Sequence, residues 1–389
     1  MNSKRNSPIR LADRDSCSGC AACAAVCPSE CITMVEDREG FLHPKIDASK
    51  CVQCHKCEAA CPVTGTQPEP MSSGTKAYAI INNNGEVRLK SSSGGVFYAL
   101  ADYVISNGGV VFGARFDEDF RGVHHDYTES RDGIAPFMRS KYVQSRTGES
   151  FRKCREFLNQ GRQVLYSGTP CQIAGLLKML GRKYENLLTV DLICHGVPSP
   201  KVWRSYLNWV AKGRKVTDVN FRNKEDGWNN SHISINFSDG SSLFEGKTDN
   251  RYFRGFLENV FLRRSCYHCA YRTCDRVSDL TIADYWGAGS LCPEMFDNRG
   301  ISIVLVHSAE GHNILNKLSN ALTVKEQSIE NAVQFNPGAN GENPFSNRRK
   351  RYFFFNRFGC QRLSDYAAAH DAPLVRVRRK IKKVWRKAL

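Results

Sequence analysis

After residue 75 the hydrophobic pattern alternates between short apolar runs and stretches of helical spacing. KAYAIIN (76–82) predicts a buried strand, VFYALADYVIS (96–106) a helix and VVFGARF (110–116) a strand. RQVLYSG (162–168) and LLTVDLICHG (187–196) predict strands, each followed by a helix, in CQIAGLLKML (171–180) and PKVWRSYLNWV (200–210). Such alternation predicts an α/β domain with a mostly parallel sheet. Residues 216–246 break the rhythm: VNFRN and HISINFSDGSSLF alternate with period two, and Asp239-Gly240 supplies a hairpin turn. This stretch predicts an antiparallel strand insertion. RYFRGFLENVFL returns to helical spacing, DLTIADYWG and GISIVLVHS predict strands, and GHNILNKLSN predicts a closing helix.

Ahead of this domain, VTGTQPEPMSSGT (63–75) is rich in Pro, Gly, Ser and Thr, the chemistry of a linker. The predicted division is residues 1–66, a linker at 67–75, the α/β domain at 76–335 and a tail at 336–389. The first unit has its own signature. Cys17, Cys20, Cys23 and Cys27 precede Pro28, and Cys51, Cys54, Cys57 and Cys61 precede Pro62. Each run reads C-x2-C-x2-C-x3-C-P, the spacing of two-cluster ferredoxins, in which the fourth cysteine of one run serves the other cluster. Cys17, Cys20, Cys23 and Cys61 are therefore expected to hold one 4Fe-4S cluster, and Cys51, Cys54, Cys57 and Cys27 a second. Zinc and disulfides also use cysteine-rich runs, but zinc sites take four ligands as two pairs. The segment between the runs, DREGFLHPKID (37–47), resembles the hairpin between ferredoxin halves, so an α+β ferredoxin-like unit is expected. Cys31 reads as a buried spare thiol.

Composition narrows the class. The chain has 389 residues and seventeen cysteines. Eight of these are assigned to clusters that need reduced thiolates, which points to a reducing cytoplasm and away from a secreted disulfide scaffold. The N-terminus lacks a signal-peptide core, and no apolar run approaches the roughly 18 residues of a membrane span. The net charge of +16 is unevenly placed, because residues 348–389 carry fourteen Lys/Arg against two Asp and leave only +4 elsewhere. Within the tail, Val377, Ile381, Val384 and Trp385 recur at helical spacing among cations. That is the pattern of a basic amphipathic helix at an anionic membrane surface, which would place the protein peripherally at the inner face of the membrane. A solvated helix or one on an acidic partner has the same pattern. No base-reading motif accompanies it, so no nucleic acid is expected.

Further chemistry lies where strands meet loops. Ser91 to Gly95 joins a strand to a helix N-terminus, and either cradles a phosphate or is a plain turn. Cys171, Cys194 and the pair Cys266 and Cys269 can supply four thiolates to a third cluster or to zinc, with Cys274 near enough to compete for the fourth place. Buried free thiols are the alternative. Cys154, Cys292 and Cys360 read as ordinary thiols. His195, after Cys194, either orients a ligand or is a satisfied loop histidine. Lys141 and Tyr142 offer a cation and a phenol. No catalytic residue is singled out.

The ordered motifs SSSGGVF, SKYVQS, YSGTPCQIAG, DLICHGVPSP, LRRSCYHC and SDLTIADYWG resemble the beta subunit of coenzyme F420-reducing hydrogenase and related dehydrogenases, from about Lys76 to Asn320. The resemblance implies a flavin such as FAD in the α/β domain, a 4Fe-4S cluster beside it and a small-molecule hydride acceptor or donor, coenzyme F420 or another. By the same resemblance Cys171, Cys194, Cys266 and Cys269 match the cluster ligands, and Ser93, Gly94 and Gly95 match the turn near the flavin; Lys141, read from the residues alone, is either a cation near that cofactor or an ordinary surface residue. A flavin also makes physical sense, since it links one-electron clusters to two-electron hydride chemistry. The expected function is an iron–sulfur flavoprotein oxidoreductase served by a redox partner, a ferredoxin or a hydrogenase or dehydrogenase subunit. The alternative is an iron–sulfur accessory protein of a membrane-associated system for cell-surface polysaccharide biosynthesis.

Overall fold

The computed structural model describes residues 8–65, 74–344 and 348–358. In the first stretch two antiparallel strands, β1 (Ile32–Glu36) and β2 (Leu42–Ile46), pair from Ile32 with Ile46 to Glu36 with Leu42. Two single-turn helices, Ala22–Ala25 and Lys56–Ala59, follow residues in the left-handed conformation, Ala21 at φ 60° and His55 at φ 55°. Each left-handed residue turns the chain sharply inside a C-x2-C-x2-C run, which lets successive thiols converge on one centre.

The large sheet has nine strands: β3 (Lys76–Asn82), β4 (Val110–Phe116), β5 (Val123–Thr128), β6 (Ser145–Arg146), β7 (Val164–Ser167) and β8 (Leu187–Leu192) come first in the chain. A separate three-stranded antiparallel sheet follows, made of β9 (Val216–Asn223), β10 (His232–Phe237) and β11 (Ser242–Gly246). The large sheet is then completed by β12 (Leu280–Asp284), β13 (Ser302–Val306) and β14 (Leu322–Gln327), giving the order β14-β3-β13-β12-β8-β7-β4-β5-β6. The predicted insertion is thus confirmed, with its turn at Asp239-Gly240. The expectation of a mostly parallel sheet holds for the centre, where β12, β8, β7 and β4 run parallel. It fails at the flanks, where β13, β3 and β14 pair antiparallel, as do β4 and β5. For β4 and β5 the reason is connectivity, since the six residues between them are too few for a crossover.

Local signals explain the helices that flank the site. Helix Pro170–Leu180 starts with a Thr169/Gln172 capping box and proline in its first turn, and ends at Gly181 with φ 70°. Ser199 caps helix Pro200–Ala211 by accepting from Val202 N. The ferredoxin-like stretch is not merely tethered to the sheet. Cys20, Ala22 and Ala25 share one apolar core with Phe112, Tyr166, Ile173 and Leu176 of the large domain. A Cβ on Gly175 would lie 2.8 Å from Cys20 Sγ, so only glycine admits this approach.

Candidate iron–sulfur and cofactor site

The eight ferredoxin cysteines fall into two groups. Burial pushes the Cys23 thiol up, and the nearby Cys20, Cys17 and Cys61 add to it, so these four sit together. Cys27, Cys51, Cys54 and Cys57 line a second, smaller recess. This is the crossed arrangement that the spacing implies. Cys31 is buried, as expected, but it is not remote: its Sγ lies 3.4 Å from Cys27 Sγ, within the second group.

Arg263, fully buried, ties the first group to the large domain. Its guanidinium donates to Cys17 O at 2.6 Å, Leu42 O at 2.9 Å and Gln144 Oε1 at 3.1 Å. Burial raises the Cys17 thiol, but the His43 hydrogen bond and the Arg263 charge outweigh it and bring it below its ordinary value. Arg263→Met is expected to destabilise the fold by about 3 kcal/mol, because two buried carbonyls lose their donor. A denaturant midpoint equal to the parent's would show that the guanidinium does not hold the two parts together.

Cys171, Cys194, Cys266 and Cys269 line one cavity of about 310 Å³, together with Ser16, Ser18, Pro62 and Val63 from the ferredoxin-like stretch. Burial pushes Cys171 up to about 11 and Cys266 up to about 12, with neighbouring thiols adding to both. Cys194 is raised by burial and then by Cys266, Cys171 and Cys269, which places all four in mutual reach. Cys274 does not compete for this cavity: its Sγ donates to Ala339 O at 3.3 Å. Four soft donors about one space suit an iron–sulfur cluster. Among the described residues no three His, Cys, Asp or Glu side chains converge as ligands of a single ion would. Tyr271 was not legible as a site residue. Its buried hydroxyl has no hydrogen-bond partner, and its pKa is raised by burial and then by Cys171, Cys20, Cys269 and Cys61, so it stands between the first and third thiol groups.

A larger cavity, about 330 Å³, opens at the ends of β7, β8 and β12 and shares Cys171, Cys194, Gly196 and Val197 with the thiol cavity. Crevices at the carboxyl ends of parallel strands are where such sheets bind ligands. Ser91, Ser92, Ser93 and Gly95 form one wall. Gly95 has φ 85° and leads into helix Val96–Ser106, whose N-terminus no side chain caps and whose first residues line the cavity. Its orphan N–H groups are therefore available to an anion. Gly94 plays a different part from its neighbours. A Cβ there would lie 2.3 Å from Ile80 O and 2.7 Å from Ser302 N, so Gly94 packs the turn onto β3 and β13 and does not line the cavity.

Lys141 lines the same cavity, with Nζ donating to Met138 O at 2.6 Å and Arg139 O at 3.1 Å. Burial, helped by Arg139 and Arg115, holds it down to about 7. Tyr142 is an aromatic wall, edge-on to Phe253 and Phe221. His195 is a satisfied histidine, with Nε2 2.8 Å from Asn259 Oδ1 and its pKa lowered by burial. Arg272 holds the loop after β8 by donating to Cys194 O and His195 O. No helix among the described residues is long and apolar enough to cross a membrane. The predicted amphipathic tail and Cys360 lie outside the described residues.

Known proteins share these parts. Residues 16–64 match the 4Fe-4S dicluster domain family, and residues 161–332 match the family described as the C terminus of the coenzyme F420 hydrogenase/dehydrogenase beta subunit. A ferredoxin-like protein in the nif region of Azotobacter vinelandii is 40% identical over 57 residues. That match takes in 13% of this chain and 56% of the relative, so the chain spans about half the length of that curated protein. A chain in the structure of the F420-reducing NiFe hydrogenase complex from Methanosarcina barkeri aligns with 16% identity and a TM-score of 0.44, over 64% of this chain and 81% of that one. Residues 161–332 are thus similar to the coenzyme F420 hydrogenase/dehydrogenase beta-subunit family, and residues 16–64 to the 4Fe-4S dicluster family.

Proposed function

We propose that the chain is an iron–sulfur flavoprotein oxidoreductase that connects a one-electron, ferredoxin-type carrier to a two-electron, hydride-exchanging small molecule. In this reading Cys17, Cys20, Cys23 and Cys61, then Cys51, Cys54, Cys57 and Cys27, hold two clusters, and Cys171, Cys194, Cys266 and Cys269 a third. The observation that carries it is shared walls: Cys171 and Cys194 line both the thiol cavity and the larger cavity, while Cys20 lies against the helix that carries Cys171. A flavin such as FAD in the larger cavity would take electrons singly and give them up in pairs. The residues present fit one. The uncapped helix after Gly95 and the cation of Lys141 suit its phosphates, and the mixed apolar and hydroxyl wall suits its ring. F420 is one candidate partner for hydride exchange, on the family description of residues 161–332. Anaerobic purification followed by iron and flavin analysis tests the reading. No feature of the described residues favours the accessory role in polysaccharide assembly.

Lys141 gives the proposal a pH dependence. Its folded pKa of about 7 is depressed from 10.5, so the ligand-free fold gains stability as pH rises between those values. An anionic phosphate beside it favours the ammonium, and binding then takes up a proton above about pH 7. Flavin affinity is expected to be greatest below about pH 7 and to fall by up to about tenfold per unit above it. Lys141→Met is expected to weaken binding at low pH and flatten the profile. A parent profile already flat from about pH 7 to about pH 9 would remove Lys141 from the phosphate site.

A further inference from the structure

Clusters deliver electrons without protons, whereas a hydride leaves with two electrons and one proton. Every electron pair that enters through thiolate-bound iron and departs as hydride therefore draws one proton into a buried cavity. The structure contains a hydrogen-bonded line suited to that task.

Asp191 lies in the apolar run of β8, fully buried, and lines the larger cavity. Its Oδ1 accepts from Thr281 Oγ1 at 2.5 Å, and its Oδ2 has no hydrogen-bond partner. Thr281 Oγ1 is 2.9 Å from His307 Nε2, and His307 Nδ1 is 3.1 Å from Thr75 Oγ1. Sheet register builds this row: Asp191 is the partner of Thr281 across β8 and β12, and His307 and Thr75 flank the Val306–Lys76 pair of β13 and β3. Asp191, Thr281 and His307 are all buried, while Thr75 is half-buried at the edge of the domain. The charged neighbours are few. Arg276 stands 3.9 Å from Asp191 Oδ2, and both carboxylate oxygens of Asp279 are taken, by Thr189 and by Ser308.

We propose that Thr75, His307, Thr281 and Asp191 form a proton relay between the start of β3 and the larger cavity, supplying one proton for each electron pair that leaves as hydride. The relay rests on the reading that a flavin occupies that cavity. Thr281 donates to Asp191, so His307 must carry its proton on Nε2 and accept at Nδ1 from Thr75. Asp191 as the acid gives up the proton on Oδ2 and receives the Thr281 hydroxyl proton on Oδ1. Thr281 is replenished from His307 Nε2, His307 from Thr75 at Nδ1, and Thr75 from solvent. Each transfer breaks one O–H or N–H bond and forms another. Resetting the line takes a half-turn of the carboxyl group, rotation of the Thr281 and Thr75 hydroxyls and return of His307 from the Nδ1–H to the Nε2–H tautomer, and hydride flow in the other direction reverses the transfers. Burial supports both roles, pushing Asp191 up to about 6 and, with Arg276, His307 down to about 3, so the imidazole passes protons while neutral. Asp191 and Thr281 are the inner members and His307 and Thr75 the outer ones.

The test is anaerobic rapid mixing of the flavin-loaded full chain with a one-electron reductant, in water and in deuterium oxide. Cluster bleaching and flavin bleaching are followed separately. Thr281→Val is expected to slow flavin bleaching by about 100-fold, the scale of a lost proton-transfer group, with cluster bleaching unchanged. Thr281→Ser keeps the hydroxyl and restores the rate. Thr75→Val, at the outer end, slows the same phase without disturbing the interior. The slow phase should carry a solvent isotope effect in the parent. If flavin-loaded Thr281→Val and Thr75→Val both bleach at the parent rate with the parent isotope effect, the relay is overturned. A chain that holds no flavin before mixing overturns the functional reading itself, and the relay with it.

Discussion

Replacing Cys266 and Cys269 together by serine is expected to lower the iron content from about twelve to about eight atoms per chain, a loss equal to one four-iron cluster. Both residues line the thiol cavity, and neither lines the larger one, so the pair can be changed without altering a cavity wall that a flavin would touch. Serine is close in size, which protects the packing. The ferredoxin groups draw on other cysteines, so their two clusters should persist with ordinary spectra. Reduction of the flavin through the protein should stop, because the remaining Cys171 and Cys194 cannot hold a cube alone. Iron analysis with electron paramagnetic resonance checks this. A parent with about eight iron atoms, or a variant with unchanged iron, would remove the third cluster from the account.

Gly95→Val is expected to lower flavin affinity by about 100-fold or more, roughly 2.7 kcal/mol. Gly95 has φ 85°, a conformation that a β-branched residue adopts only under strain, and a Cβ there would sit 3.0 Å from Asn82 Cβ. The change therefore distorts the backbone that presents the helix N-terminus to the cavity. Iron should stay at the parent level, since the turn itself contributes no thiol. Gly94→Ala makes the contrast. Its Cβ would press on Ile80 O and Ser302 N, so its effect should fall on stability, by about 1–3 kcal/mol of overpacking, in the ligand-free protein as well. Equilibrium dialysis with iron analysis separates the two, and a Gly95→Val chain that binds flavin like the parent would make the turn structural only.

The central strands were legible because full burial leaves an unmistakable mark. SIVLV in β13 is buried at every position, and β7 and β8 are nearly so. The outer strands carry no such mark. β14 reads LTVKEQ and exposes most of its side chains, with the Lys and Glu typical of an edge strand, and β5 reads VHHDYT, whose inward positions include His125. Spacing suggested which cysteines group within the ferredoxin-like stretch, because three thiols of each set lie in one short run and the repeat of that run points to the fourth. It could not choose between Cys194 and Cys274, whose distance from Cys171 depends on how loops fold back over the sheet. Nor could it show that Tyr271 and Arg263 stand between two thiol groups far apart in sequence. Asp191 did leave a signal, a lone carboxylate within the apolar run LLTVDLI. Its meaning needed the partners Thr281 and His307, which lie 90 and 116 residues further along the chain and reach it only through sheet register.

Anaerobic reductive titration of the purified, cofactor-loaded chain tests the central claim most directly, since it counts the electron-accepting centres wired together. Three one-electron clusters and one two-electron flavin predict about five electron equivalents per chain, with flavin released on denaturation. Uptake of only about two equivalents, with no flavin in the denatured supernatant, would leave a two-cluster ferredoxin joined to a domain without redox function and would contradict the account.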